Sequence, residues 1–250
     1  MGGAMIIPVE GLPEVTETFN LGKAIAEQVQ LTDGDIVAVS QKVVSKSEGR
    51  VVRLDLTDPG PEAISLAART GKDPRIVQHI LAESRNLVRV DEERGILITE
   101  THHGFICANA GIDQSNTAGP EEAILLPLDP DGSARRIRVE LETASGVRAA
   151  VVVTDSFGRA WRHGQVEVAI GCAGIDPLDD WRGQSDQRGR ELTATVIATA
   201  DQVAAASDLV RTKTDGVPAI VVRGLDPYVT GDDGPGCASQ LREPDDDLFR

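Results

Sequence analysis

The chain opens on a short apolar run over residues 4–9, and then Leu21, Ala24, Ile25 and Val29 recur at helical spacing behind Asn20. The first pattern predicts a strand and the second a helix capped by the Asn20 side chain. Thr32-Asp33-Gly34 marks a turn, and residues 35–40 read as a buried strand that runs directly into QKVVSKSEGR. Ligands often bind at such strand ends. Residues 61–70 and 74–84 predict two helices, each with proline near its first turn, where a missing N–H removes no helical bond. After residue 86 the apolar positions alternate in places around Glu93-Arg94-Gly95, which predicts antiparallel strands and a hairpin. A loop rich in Pro, Asp and Gly is expected over 120–133, followed by a helix to about Ser145 and a buried strand in AAVVVTDSFG. Residues 191–210 predict the strongest helix, with Leu192, Val196, Ile197, Ala200, Val203 and Ala204 on one stripe, ahead of the strand PAIVVRG. The stretch 231–250 is polar and acidic and is expected to be irregular.

These elements mix hairpins with strand–helix alternation, so the expected class is α/β of a mixed α+β kind rather than a simple doubly wound sheet. With 40% hydrophobic residues but only 3% aromatics, the core must be built from Val, Ile, Leu and Ala. A formal net charge of -15 disfavours sequence-independent binding to nucleic acid or to an anionic membrane, since phosphate neutralisation needs clustered Lys and Arg. Cys107, Cys172 and Cys237 are widely spaced and odd in number, which indicates neither a disulfide framework nor a zinc knuckle and fits a reducing cytoplasm. The N-terminal residues lack a basic region followed by an apolar stretch, so neither export nor membrane insertion is expected.

Several stretches draw attention as chemistry. Asp155 closes the apolar run AAVVVT and should emerge where a buried strand meets a cleft, with Ser156 next to it. Hard divalent cations take oxygen donors, often one or two carboxylates with substrate phosphates. Asp113 is the single formal charge after the histidine in HGFICANAGIDQSN and can supply the second carboxylate. The competing reading is a turn cap at Asp155 and an Asx-turn at Asp113. If QKVVSKSEGR is helical, Lys42, Lys46 and Arg50 share a face that suits either phosphate or solvent. Arg159, Arg162 and His163 flank Trp161 and suit an anionic ligand, although five Arg between Phe157 and Glu191 face six Asp and Glu and can equally form internal ion pairs. Adjacent His102 and His103 on a strand would point to opposite faces, so they do not make a two-histidine metal site.

Taken together, GLPEV (11–15), QKVVSKSEGR (41–50), HGFICANAGIDQSN (103–116), residues 151–192 and the last long helix resemble the coenzyme F420:L-glutamate ligase family. The resemblance runs to about Leu225 and implies a ligase domain over 1–230, with the acidic tail at 231–250. It implies an uncommon α/β fold, a homodimer, and the joining of L-glutamate to the carboxylate of a deazaflavin cofactor precursor, with GTP as co-substrate. The metal it implies is manganese or magnesium, often with potassium. Carried over motif by motif, Leu12, Pro13, Glu14, Val15, Ser40, Gln41, Lys46 and Asn116 match nucleotide-contacting positions. Asp113 and Asp155 match metal ligands, with Ser156 where the family usually has Thr. Lys46 and Asp155 are the catalytic candidates, and Arg159, Arg162 and His163 are assigned to the acceptor's phosphate and carboxylates. Further nucleotide contacts are implied around RTKTDGVP, where Lys213 stands at a place that holds an acid or amide metal ligand in some relatives. Actinobacterial relatives carry an additional flavin-binding reductase-like domain after a segment resembling DDDLFR, so either a stand-alone ligase or a ligase domain separated from that partner is implied. Two other classes compete: a metal-dependent phosphohydrolase using Asp155 as nucleophile, and a non-catalytic GTP-binding regulatory subunit.

Overall fold

The computed structural model describes residues 3–211 and 216–247. Its centre is a five-stranded mixed sheet built from β1 (Met5–Pro8), β2 (Ile36–Ser40), β8 (Ala150–Arg159), β9 (Arg162–Ala173) and β12 (Ala219–Arg223). The spatial order is β1-β12-β2-β8-β9. Only the β2–β8 pairing is parallel; its neighbours, including the β8–β9 hairpin, are antiparallel. Alternation along these strands divides the apolar side chains between two faces. Val37, Val39, Val151, Val153, Ala219 and Val221 meet α1 (Leu21–Gln28) and α5 (Pro130–Ser145). Ile36, Ala38, Ala150, Val152, Ile220 and Val222 meet α6 (Thr199–Asp208) on the other side. Burial on both faces explains why the strands read as unbroken apolar runs.

A second group of elements stands beside this sheet. α2 (Gln41–Ser47) follows β2 without a loop, and β3 (Val51–Arg53) pairs with β7 (Glu122–Ile124). α3 (Pro61–Thr70) and α4 (Pro74–Ala82) pack with Leu97 and Ala123 into a separate apolar cluster. Their sheet is β4 (Ser84–Asp91), β5 (Ile96–Thr101) and β6 (Ile106–Ala108), antiparallel throughout, with the expected hairpin between β4 and β5. A short ribbon of β10 (Leu178–Asp180) and β11 (Val196–Ala198) completes the elements.

Asn20 caps α1 as the sequence indicates, its Oδ1 accepting the Lys23 N–H at 2.8 Å. The helix expected over 191–210 is corrected: only Thr199–Asp208 is helical, while Val196 and Ile197 belong to β11 and face Asp180 and Asp179 in register. β-branched Thr193, Thr195, Val196 and Ile197 favour extended backbone, and the pairing with β10 supplies partners that periodicity could not anticipate. The loop expected over 120–133 is also corrected, since β7 lies within it and α5 begins at Pro130 behind an Asp129 cap. Residues 231–247 run as short turns against the body: Cys237 is buried and Asp233 pairs with Arg138 at 2.7 Å. Gly171 of β9 lies so close to α5 that an added Cβ would come within 2.3 Å of the Pro130 backbone. Among the described residues no helix is long and apolar enough to cross a membrane.

Candidate active site

The C-terminal ends of β2 and β8 open into a cleft of about 920 Å³. Its walls come from the segment after β1, the first turns of α2, the segment after β6, the β8–β9 hairpin and the approach to β12. The parallel pairing of β2 and β8 sets this geometry, because it places Ser40 directly beside Thr154 and sends both chains out on one edge. A register shift between Val153 and Thr154 then re-aims the emerging residues of β8.

Three carboxylates converge on the cleft. Asp113 is fixed by reciprocal backbone hydrogen bonds with Ile124, at 3.0 and 2.8 Å. Its Oδ1 accepts the Ser115 N–H at 2.6 Å, which is the Asx-turn the sequence allows, while Oδ2 meets Lys42 Nζ at 2.8 Å. Burial acts to raise the Asp113 pKa, but Lys42 and the Ser115 hydrogen bonds outweigh it and leave the group below its ordinary value. Asp155 behaves oppositely. Burial, then the nearby charge of Glu167 and to a smaller extent of Asp113, push its carboxyl up to about 7. Glu167, almost fully buried on β9, accepts the Ser156 hydroxyl and faces Arg211 at 3.3 Å. Arg211 also donates to Thr154 Oγ1 at 3.0 Å, and its Nε and Nη2 have no hydrogen-bond partner among the described residues.

Basic groups oppose these acids. Lys42 and Lys46 both line the cleft from α2, whereas Arg50 lies beyond the helix and is occupied by Glu83 and the Leu126 carbonyl. Lys46 Nζ pairs with Glu14 at 2.6 Å, a partner that is 78% exposed and therefore easily exchanged for a bound anion. Leu12, Pro13, Glu14, Val15, Ser40 and Asn116 also stand on the cleft wall. Gln41 does not: it is buried, with its Oε1 accepting the Ser45 hydroxyl at 2.9 Å. The backbone at Asn109, Ala110 and Gly111 is left-handed at three successive residues, and Asn116 is left-handed as well. Small residues are needed there; a Cβ on Gly111 would meet Leu126 at 2.8 Å.

Clustered carboxylates, with Asp155 raised first by burial and then by its acidic neighbours, form a donor set suited to a divalent cation. Asp113, Asp155 and the Ser156 hydroxyl would hold it. Arg159, Arg162 and His163 are not brought into this cleft; they are exposed at the tip of the β8–β9 hairpin, where Arg159 Nη2 donates to the His163 carbonyl at 3.1 Å. Lys213 lies outside the described residues. The sequence reading missed Glu167, Arg211, Cys107 and the full part played by Lys42. A lone acid inside the apolar alternation VEVAIG was the available signal for Glu167.

Fold and cleft together define a mixed α/β protein that presents carboxylates and lysines within one cleft. The family profile described as F420-0:Gamma-glutamyl ligase matches residues 11–224. The coenzyme F420:L-glutamate ligase of Methanopyrus kandleri is 44% identical over 255 residues, covering 100% of both chains. That of Methanothermobacter thermautotrophicus is 42% identical, covering 99% of each, and that of Halobacterium salinarum is 46% identical over 222 residues, 86% of this chain and 85% of its own. The chain therefore belongs to the F420-0:gamma-glutamyl ligase family and is a ligase.

Proposed function

We propose that this ligase joins L-glutamate to the carboxylate of the deazaflavin precursor of coenzyme F420, with GTP as co-substrate and through an acyl phosphate, and can extend the product by further γ-linked glutamates. The observation that carries the reading is the facing of Asp113, Asp155 and Glu167 by Lys42 and Lys46 within one cleft, in a chain of this family. A carboxylate condenses with an amine only once its oxygen is made a good leaving group. Transfer of the GTP γ-phosphoryl to that oxygen releases GDP; the glutamate amine then attacks the acyl carbon, and phosphate leaves with the oxygen.

The chain's residues bind and orient. Lys46 exchanges Glu14 for nucleotide phosphate, and residues 12–15 with Ser40 and Asn116 flank the nucleotide. Lys42 sits beside Asp113 and balances charge developing on the transferred group. Manganese or magnesium held by Asp113, Asp155 and Ser156 would supply further charge stabilisation on phosphate oxygens. No protein nucleophile is required. Assembly as a homodimer, a role for potassium and work in the cytoplasm belong to the same reading, either as a stand-alone ligase or as a ligase domain beside a flavin-binding reductase-like partner.

Incubation with GTP, manganese, L-glutamate and the deazaflavin precursor should give mass increments of glutamate together with GDP. GTP hydrolysis that ignores the acceptor and leaves a phosphoaspartate would instead identify a phosphohydrolase. GTP binding without turnover would identify a regulatory subunit.

A further inference from the structure

Far from the cleft, Asp131, Cys172 and Cys237 bring a carboxylate oxygen and two thiol sulfurs within 4.8 Å of one another. They come from three separate parts of the chain: the first turn of α5, the end of β9 and the turn at Cys237–Gln240. Both cysteines are essentially inaccessible. We propose that these three side chains form a structural site for a thiophilic divalent cation of the zinc type, which clamps the C-terminal segment onto the sheet.

Three features carry this. The first is distance. A tetrahedral ion with metal–sulfur bonds of about 2.3 Å and metal–oxygen bonds of about 2.0 Å needs ligand atoms roughly 3.5–3.8 Å apart, so the present cluster closes onto an ion with a shift of about 1 Å. The second is orientation. Asp131 Oδ1 accepts the backbone N–H groups of Cys172 and Cys237 at 2.8 and 2.7 Å, so one carboxylate oxygen holds both cysteine backbones in place. The other oxygen, Oδ2, receives only the Ala238 N–H at 3.3 Å and keeps lone-pair capacity for a metal. Hydrogen bonds of this kind around a ligating carboxylate are what orient it towards an ion. The third is donor chemistry: two thiols and a carboxylate are the kind of set that structural zinc sites use. Binding replaces the two thiol protons, which go to solvent, by two metal–sulfur bonds with no change of oxidation state.

The test uses the reduced, metal-free full chain titrated with cobalt(II) under anaerobic conditions. One equivalent should produce a sulfur-to-cobalt charge-transfer band that zinc bleaches. The band should disappear in Cys237→Ser and persist in Cys107→Ser, whose position on the cleft wall separates this site from the candidate active site. Should Cys237→Ser not fold, alkylation of the unsubstituted chain still decides: zinc at one hundred times its Kd should slow modification of Cys172 and Cys237 about 100-fold. Absence of the band, its survival in Cys237→Ser, unprotected thiols, or a spontaneous mass loss of two hydrogens from a Cys172–Cys237 disulfide would each overturn the proposal.

Discussion

Glu167 stands directly opposite Ser156 in the β8–β9 register and accepts its hydroxyl hydrogen, while its other oxygen faces Arg211. One buried side chain thereby links the strand that carries Asp155 to the segment that follows α6. Loss of its charge would leave Arg211 buried beside a neutral amide. Glu167→Gln should therefore lower stability by about 3 kcal/mol, in the range for breaking one side of a buried pair. Glu167→Gln combined with Arg211→Met should recover part of that loss. Denaturant unfolding of the two variants checks both statements; equal losses would mean that the pair is not coupled.

Asp155→Asn keeps the shape of the side chain and removes its charge. Glutamate addition should fall by about a hundredfold or more, the scale on which a group stabilising transition-state charge acts, while the unfolding midpoint is retained. Product mass spectrometry and circular dichroism measure the two halves. Undiminished turnover under saturating manganese would remove Asp155 from the chemistry.

The pH dependence of stability follows from the same residue. The folded Asp155 carboxyl, pushed up to about 7, lies above the ordinary unfolded value of about 3.9, so the folded state holds this proton more tightly. Its contribution is complete below about pH 4 and is lost as pH rises to about 7. In metal-free protein, thermal unfolding compared between pH 5.5 and pH 8 should show this loss, and Asp155→Asn should flatten it. Added manganese should restore stability at the higher pH.

Lys46→Ala should act on binding. A charged hydrogen bond to phosphate contributes about 1.5–3 kcal/mol, so GTP affinity should fall roughly 10- to 100-fold. Glu14→Ala should weaken it far less, since the exposed Glu14 carboxylate would give up Lys46 to the phosphate in the proposed binding. Titration calorimetry with GTP distinguishes the two.

Gly171→Ala tests the packing of β9 on α5. The new methyl group would lie 2.3 Å from backbone atoms of Pro130, which cannot rotate away, and overpacking of this kind costs about 1–3 kcal/mol. A melting temperature equal to that of the unsubstituted chain would contradict the close approach.

Local chemistry was legible in the chain. The Asn20 cap, the proline-led helices at Pro61 and Pro74 and the buried strand that leads into Asp155 follow from short-range rules that operate within a few residues. The motifs also singled out Lys46, Asp113, Asp155 and Ser156, which the fold gathers on one cleft wall. Arg159, Arg162 and His163 stand outside that cleft because nearness in sequence to Asp155 is not nearness in space: the β8–β9 hairpin carries them outward along its length to the exposed tip.

What the sequence by itself determined is the periodicity of burial, the capping of helices and the residue types offered to a ligand, all consequences of local backbone preference and water exclusion. Only the tertiary structure decided that residues 196–198 pair with 178–180 as a ribbon, that Glu167 meets Arg211 beside the strand carrying Asp155, and that Cys172 and Cys237 converge on Asp131. Those meetings depend on strand register and on chain segments brought together across dozens of residues. Register is fixed by the whole sheet's packing, so no single stretch contains it.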